Sequence, residues 1–112
     1  MIAYLRGYAG AVKEIERLFE GGARFGCCPT VITEIYAGVR EKEMSVTEEF
    51  IDSLRFYPVT KEVAKLAGHY IQSYGKKGIT LSLADSTIGA VVNSYKLKLL
   101  TYNKKHYPMV FE

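Results

Sequence analysis

Two acidic residues and one amide are the residues of this sequence whose types and spacing could do chemistry together. Glu34 and Asp85 each stand near the start of a predicted helix, and Asn103 stands at the end of a predicted strand. If the strands are parallel, all three lie at the edge formed by the strands' carboxyl ends, where open α/β folds bind ligands. Two carboxylates facing each other repel, and a divalent cation relieves that repulsion. Hard oxygen ligands suit Mg²⁺ or Mn²⁺ rather than zinc.

A divalent cation at such a site would favour phosphate chemistry, because it lowers the pKa of a bound water and stabilises charge on a transferring phosphate. Each residue also has an ordinary structural explanation. Asp85 follows Ser82 by three residues and can complete a capping box. Glu34 can complement a helix dipole, and Asn103 is a common turn residue. The placement of all three at one edge, rather than any single residue, indicates a site.

The elements that must hold these residues follow from hydrophobic spacing and from capping residues. Helical spacing predicts helices within residues 2–8 and 10–20, and further helices that begin after Thr30, Ser45, Thr60 and Ser82. Short apolar segments predict strands at residues 24–29, 55–60 and 98–103, with 109–112 as a candidate last strand. Helices that alternate with short strands indicate an α/β fold in three layers, with a mostly parallel central sheet flanked by helices.

Composition restricts the classes to which the protein can belong. The hydrophobic content of 48% is that of an ordinary globular core. No apolar run reaches the roughly 18 residues of a membrane span, and the first residues do not resemble a signal peptide, so we expect a cytoplasmic protein without membrane contact. The only cysteines, Cys27 and Cys28, are adjacent, and we expect both to be buried without forming a disulfide or a metal site.

The net charge of +3 permits contact with nucleic acid without arguing for it. The placement of the charge is more informative, because basic residues flank the predicted Asp85 helix on both sides. These residues are Lys76, Lys77, Lys96, Lys98, Lys104, Lys105 and His106. A solvated surface of lysines is the plain alternative explanation.

Three separated motifs resemble one known family. They are T-x-x-T-E-I-Y-A-G around Glu34, L-A-D-S-T-I-G-A around Asp85 and L-L-T-Y-N-K-K-H-Y around Asn103. In this order they resemble a PIN domain, and more closely a VapC-type toxin ribonuclease of a toxin–antitoxin pair. The resemblance covers nearly the whole chain.

The resemblance implies a PIN-like fold and an endoribonuclease that depends on Mg²⁺ or Mn²⁺ and hydrolyses RNA phosphodiester bonds. It implies that Glu34 and Asp85 coordinate the metal, that Asn103 occupies a further polar position of the site, and that Thr101 supplies a hydroxyl two residues before it. It also implies a cognate antitoxin protein as partner and a homodimer.

The family opens with a central strand that ends in an aspartate, and this sequence resembles the family only from the first helix onward. We therefore expect residues 1–112 to form a single PIN-like domain without that strand and its aspartate, through a misassigned start, a shortened chain or a true truncation. The missing aspartate supports an alternative function, a catalytically impaired remnant that only binds antitoxin or RNA. A third interpretation, a small-molecule binder, is weaker because the chain has no glycine-rich phosphate loop.

Overall fold

The computed structural model describes residues 20–21, 24–101 and 103–111. The chain divides into two compact units, Met1–Phe56 and Tyr57–Glu112, and each is described by itself. The helices predicted within residues 2–8 and 10–20 lie outside the described residues, Glu20 apart.

The first unit contains a short parallel strand pair, in which β1 (Gly26–Cys27) pairs with β2 (Arg55–Phe56). Helix α1 (Pro29–Gly38) follows β1 almost directly, so it begins at the carboxyl end of that strand. A 3-10 turn (Glu41–Glu43) leads into α2 (Met44–Asp52), which returns the chain to β2. Parallel strands joined through helices confirm the predicted α/β class.

The core of the first unit is built from the strand and the inner faces of its helices. Its buried residues include Cys27, Cys28, Val31, Ile35 and Leu54. The prediction that both cysteines are buried and free is confirmed. Burial raises the pKa of each thiol, and the negative charge of Glu34 raises that of Cys28 further, against the lowering effect of nearby backbone N–H groups. Both sulfurs therefore stay protonated and unreactive at neutral pH.

The second unit is organised around two packed helices, α3 (Lys61–Gly75) and α4 (Leu83–Ser94). The predicted caps of both are confirmed: Thr60 Oγ1 accepts the N–H of Val63 at 3.2 Å, and Ser82 Oγ accepts the N–H of Asp85 at 3.0 Å. The 3-10 turn Lys104–His106 and the short helix α5 (Pro108–Phe111) complete this unit.

Helix α4 carries the most apolar part of this unit, with Ile88, Ala90, Val91 and Val92 all buried. It ends in a Schellman arrangement, in which the N–H of Leu97 donates to the carbonyl of Val92 at 2.8 Å. None of the described helices has the length and apolar character that crossing a membrane requires.

Several local predictions were wrong. Helix α1 is capped at Cys28 and has Pro29 at its first position, because proline is preset for that position, so Thr30 is already inside the helix. Ser45 likewise lies inside α2, whose N-cap residue is Glu43. The carboxylate of Glu43 accepts the N–H of Arg40 at 3.2 Å, within the 3-10 turn that precedes α2.

The strand predicted over residues 98–103 is also absent from the described residues of that segment, which run as irregular chain. A strand needs a paired neighbour, and the described part of the chain offers this segment none. Residues 108–111 form α5 rather than the candidate last strand.

Candidate active site

Asp85 lies in the first turn of α4, as predicted, and its side chain is 24% exposed. Only half of a capping box is formed around it. The hydroxyl of Ser82 accepts the N–H of Asp85, but the Asp85 carboxylate makes no return bond to Ser82 within the described chain. The carboxylate oxygen Oδ2 instead lies 3.6 Å from Nδ1 of His106. Helix capping therefore does not account for the side chain of Asp85.

His106 is the residue that the sequence analysis did not assign to the site, because it stood there only as one member of a basic cluster. Its side chain is 51% exposed, and it is the last residue of the 3-10 turn that follows Asn103. The backbone N–H of His106 donates to the carbonyl of Asn103 at 2.9 Å, which closes that turn. The position of His106 three residues after Asn103, in the segment N-K-K-H, is the sequence signal that could have pointed to this contact.

Thr101 and Asn103 lie at the entrance of the same turn. The Oγ1 of Thr101 accepts the backbone N–H of Asn103 at 3.1 Å, so the threonine shapes the backbone that presents the asparagine. The amide side chain of Asn103 is exposed and has no hydrogen bond to any residue that the structure describes. The second unit thus connects Asn103 to His106, and His106 to Asp85.

Glu34 belongs to the first unit and lies in the second turn of α1, two residues further into the helix than the predicted cap at Thr30 implied. At 1.5 Å per residue this places its Cα about 7.5 Å along the helix from Pro29. It stands beside the buried Ile35 and is itself only partly exposed. Among the residues that the structure describes, none forms a hydrogen bond or an ion pair with its carboxylate.

These residues fit a hard divalent cation by the chemistry of their donor atoms. Glu34 and Asp85 offer carboxylate oxygens, and Asn103 offers an amide oxygen. Oxygen ligands of this kind suit Mg²⁺ or Mn²⁺. No three side chains of His, Cys, Asp and Glu come together among the described residues. The complete ligand set, with Thr101 beside it, stays a prediction.

Cationic side chains of the second unit are exposed in the connection between α3 and α4 and in the turn that carries His106. Lys77 lies with its Nζ 5.1 Å from the ring centre of Tyr74, and Lys104 lies with its Nζ 5.4 Å from that of Phe111. Lys105, between Lys104 and His106, is exposed as well. An extended anion that approached Asp85 from the side of this turn would meet a positive potential.

Comparison with known proteins finds sequence similarity over the whole length of the chain. Residues 1–111 match the family described as PIN domain. Ribonuclease VapC19 of Mycobacterium tuberculosis is 29% identical over 108 residues, which are 96% of this chain and 86% of that protein. Ribonuclease VapC10 of the same organism is 28% identical over 109 residues, which are 97% of this chain and 81% of that protein. No solved structure matches the chain.

Proposed function

Because this chain belongs to the PIN domain family, we propose that it is a divalent-metal-dependent endoribonuclease and the toxin of a toxin–antitoxin pair. The names of its two relatives support ribonuclease activity. Their similarity extends over nearly the whole of this chain, so it includes the segments that carry Glu34, Asp85 and Asn103.

The observation that carries the proposal is the half-formed capping box of Asp85. A carboxylate in the first turn of a helix ordinarily stabilises that helix end by bonding to its N-terminal N–H groups or by complementing its dipole. Here the serine hydroxyl does the capping, and the carboxylate is aimed at His106. A partly buried carboxylate that makes no hydrogen bond to the N–H groups of its own helix is available to a ligand.

In the proposed mechanism, Glu34 and Asp85 would hold Mg²⁺ or Mn²⁺ through carboxylate oxygens, and Asn103 would contribute its amide oxygen. Such an ion, when bound, would supply Lewis acidity for hydrolysis of the phosphodiester bond. Thr101 keeps the Asn103 backbone in place through the hydrogen bond at 3.1 Å. The lysines beside His106 bind the flanking phosphates, so RNA binding weakens as the salt concentration rises.

The same proposal assigns partners and a compartment. The substrate is RNA, the inhibitor is a cognate antitoxin protein, and the working form is a homodimer in the cytoplasm. The VapC names of the relatives support the antitoxin.

Cleavage of a mixed-sequence single-stranded RNA tests the proposal. We expect cleavage with Mg²⁺ or Mn²⁺, none with chelator, and a loss of about 100-fold or more in Asp85→Asn, since even an outer-sphere partner of a metal is worth about 10- to 100-fold. Glu62→Gln is the matched control, because Glu62 is an acid in the first turn of the neighbouring helix α3. It should leave cleavage unchanged.

Two results would contradict the proposal. Cleavage that survives in Asp85→Asn would remove Asp85 from the site. Absence of cleavage by the unmodified chain, together with retained binding of RNA or antitoxin, would favour the alternative of a catalytically impaired binding module.

A further inference from the structure

We propose that His106 is a positioning residue, which orients the carboxylate of Asp85 so that one oxygen is presented to the metal. This inference rests on the proposed function, because it concerns the same site. The contact that carries it joins Nδ1 of His106 to Oδ2 of Asp85 at 3.6 Å. Among the described residues, His106 is the only side chain that forms an ion pair with that carboxylate.

The distance fits an interaction that tightens when the carboxylate is fixed. A hydrogen bond from a ring nitrogen to an oxygen is about 2.7–3.2 Å long, so the two atoms need to approach by only a few tenths of an ångström. A neutral imidazole with its proton on Nδ1 is already a donor, so the contact does not need a charged histidine. Once Nδ1 comes within hydrogen-bond distance and donates to Oδ2, the second oxygen of Asp85 is the one left for a ligand.

His106 is held in position by elements that belong to the same unit as Asp85. Its turn continues into Tyr107 and Pro108, both of which are buried. The carbonyl of Met109 then accepts a hydrogen bond at 3.0 Å from Nδ2 of Asn93, a residue of α4. Because α4 also carries Asp85, the helix fixes both partners of the contact.

A purely stabilising role does not explain this arrangement. His106 is half exposed, and pairs of exposed charges contribute only about 0–1 kcal/mol to stability. Carboxylates that bind metals are, in contrast, commonly hydrogen-bonded from outside the ligand set, and loss of such a partner weakens metal binding about 10- to 100-fold.

Direct measurement of Mn²⁺ binding without RNA, at one fixed pH, tests the inference separately from catalysis. We expect His106→Ala to weaken the Kd for Mn²⁺ about 10-fold. His106→Asn places an amide N–H near the position of Nδ1 and should restore most of the affinity. His69→Ala is the matched control, because His69 is an exposed histidine of the same unit that contacts Ser73 at 3.3 Å and lies on α3. It should bind Mn²⁺ like the unmodified chain.

Each outcome decides the question. An unchanged Kd in His106→Ala overturns the inference, and so does an equal loss in the alanine and asparagine variants, since a donor at that position would then not matter. If the unmodified chain binds no Mn²⁺, the metal site of the proposed function fails, and the inference fails with it. Binding by the unmodified chain with no effect at His106 overturns the inference alone. Unfolding midpoints equal to that of the unmodified chain show that each variant is folded.

Discussion

A methyl group added at Gly89 tests how closely the C-terminal helix α5 packs against α4. Gly89 lies inside α4 and is buried. A Cβ atom built there would stand 2.6 Å from Sδ of Met109 and 3.0 Å from its Cγ, closer than real Cβ contacts come. Gly89→Ala must therefore move the Met109 side chain.

The expected change in the free energy of unfolding is the balance of two effects. Alanine is about 1 kcal/mol more favourable than glycine inside a helix. Overpacking a filled position costs about 1–3 kcal/mol. Gly89→Ala should consequently destabilise the protein by about 0–2 kcal/mol, whereas the same change in a Met109→Ala background should stabilise it by about 1 kcal/mol.

Urea unfolding followed by circular dichroism at the helix band gives the four free energies of this double-mutant cycle. Gly68→Ala is the matched control, because Gly68 lies on the exposed side of α3 and an added Cβ there meets nothing within 4 Å. It should stabilise the protein by about 1 kcal/mol through helix propensity alone.

The reasoning would be refuted if Gly89→Ala stabilised the protein as much as Gly68→Ala does. It would also be refuted if the effect of Gly89→Ala were the same with Met109 and with alanine at position 109. Either result would mean that α5 does not pack closely on Gly89.

Three further predictions concern helix ends and thiols. Lys96 has a φ of 56° and Gly78 a φ of 82°, a backbone region that favours glycine. Lys96→Gly should therefore stabilise the protein by about 1 kcal/mol, and Gly78→Ala should destabilise it by about as much. Urea unfolding in which both variants changed the free energy of unfolding in the same direction would contradict this. Ser82→Ala should cost about 1 kcal/mol and speed amide exchange at the start of α4, and unchanged exchange would argue against the cap. Burial raises the pKa of Cys27 and Cys28 above 9.0, so both should resist a thiol reagent in the folded protein. The contribution of these thiols to stability should be complete below pH 9.0 and fall as the pH rises further. A Cys27→Ala/Cys28→Ala variant should lose this pH dependence. Rapid labelling of the thiols in the folded chain would contradict the prediction.

Local signals were enough to predict much of the fold. Thr60 and Ser82 were identified as caps from residue type and apolar spacing, because an N-cap bond joins residues only three apart. The short strands within residues 24–29 and 55–60 were predicted from the apolar character of these short segments. In the structure, only two residues of each segment form the paired strands. The predicted PIN-like α/β class and the resemblance to the PIN domain family are both confirmed.

The errors fall where a local signal had a competitor or needed a distant partner. Pro29 displaced Thr30 from the cap position of α1, and the turn before α2 did the same to Ser45. The apolar segment at residues 98–103 has the composition of a strand. A strand also requires a neighbour to satisfy its backbone groups, and composition does not supply one.

The sequence by itself determined the family, the caps of α3 and α4, and the presence of Asp85 in the first turn of a capped helix. Only the tertiary structure decided what that carboxylate faces. Asp85 and His106 are far apart along the chain. They meet because the helix that follows His106 packs on α4: Asn93 donates a hydrogen bond to the carbonyl of Met109, and the Met109 side chain packs against Gly89. An N-cap hydrogen bond joins residues only three apart, so a local sequence pattern predicts it. The contact between Asp85 and His106 depends on how two helices pack, and a local pattern does not predict that packing.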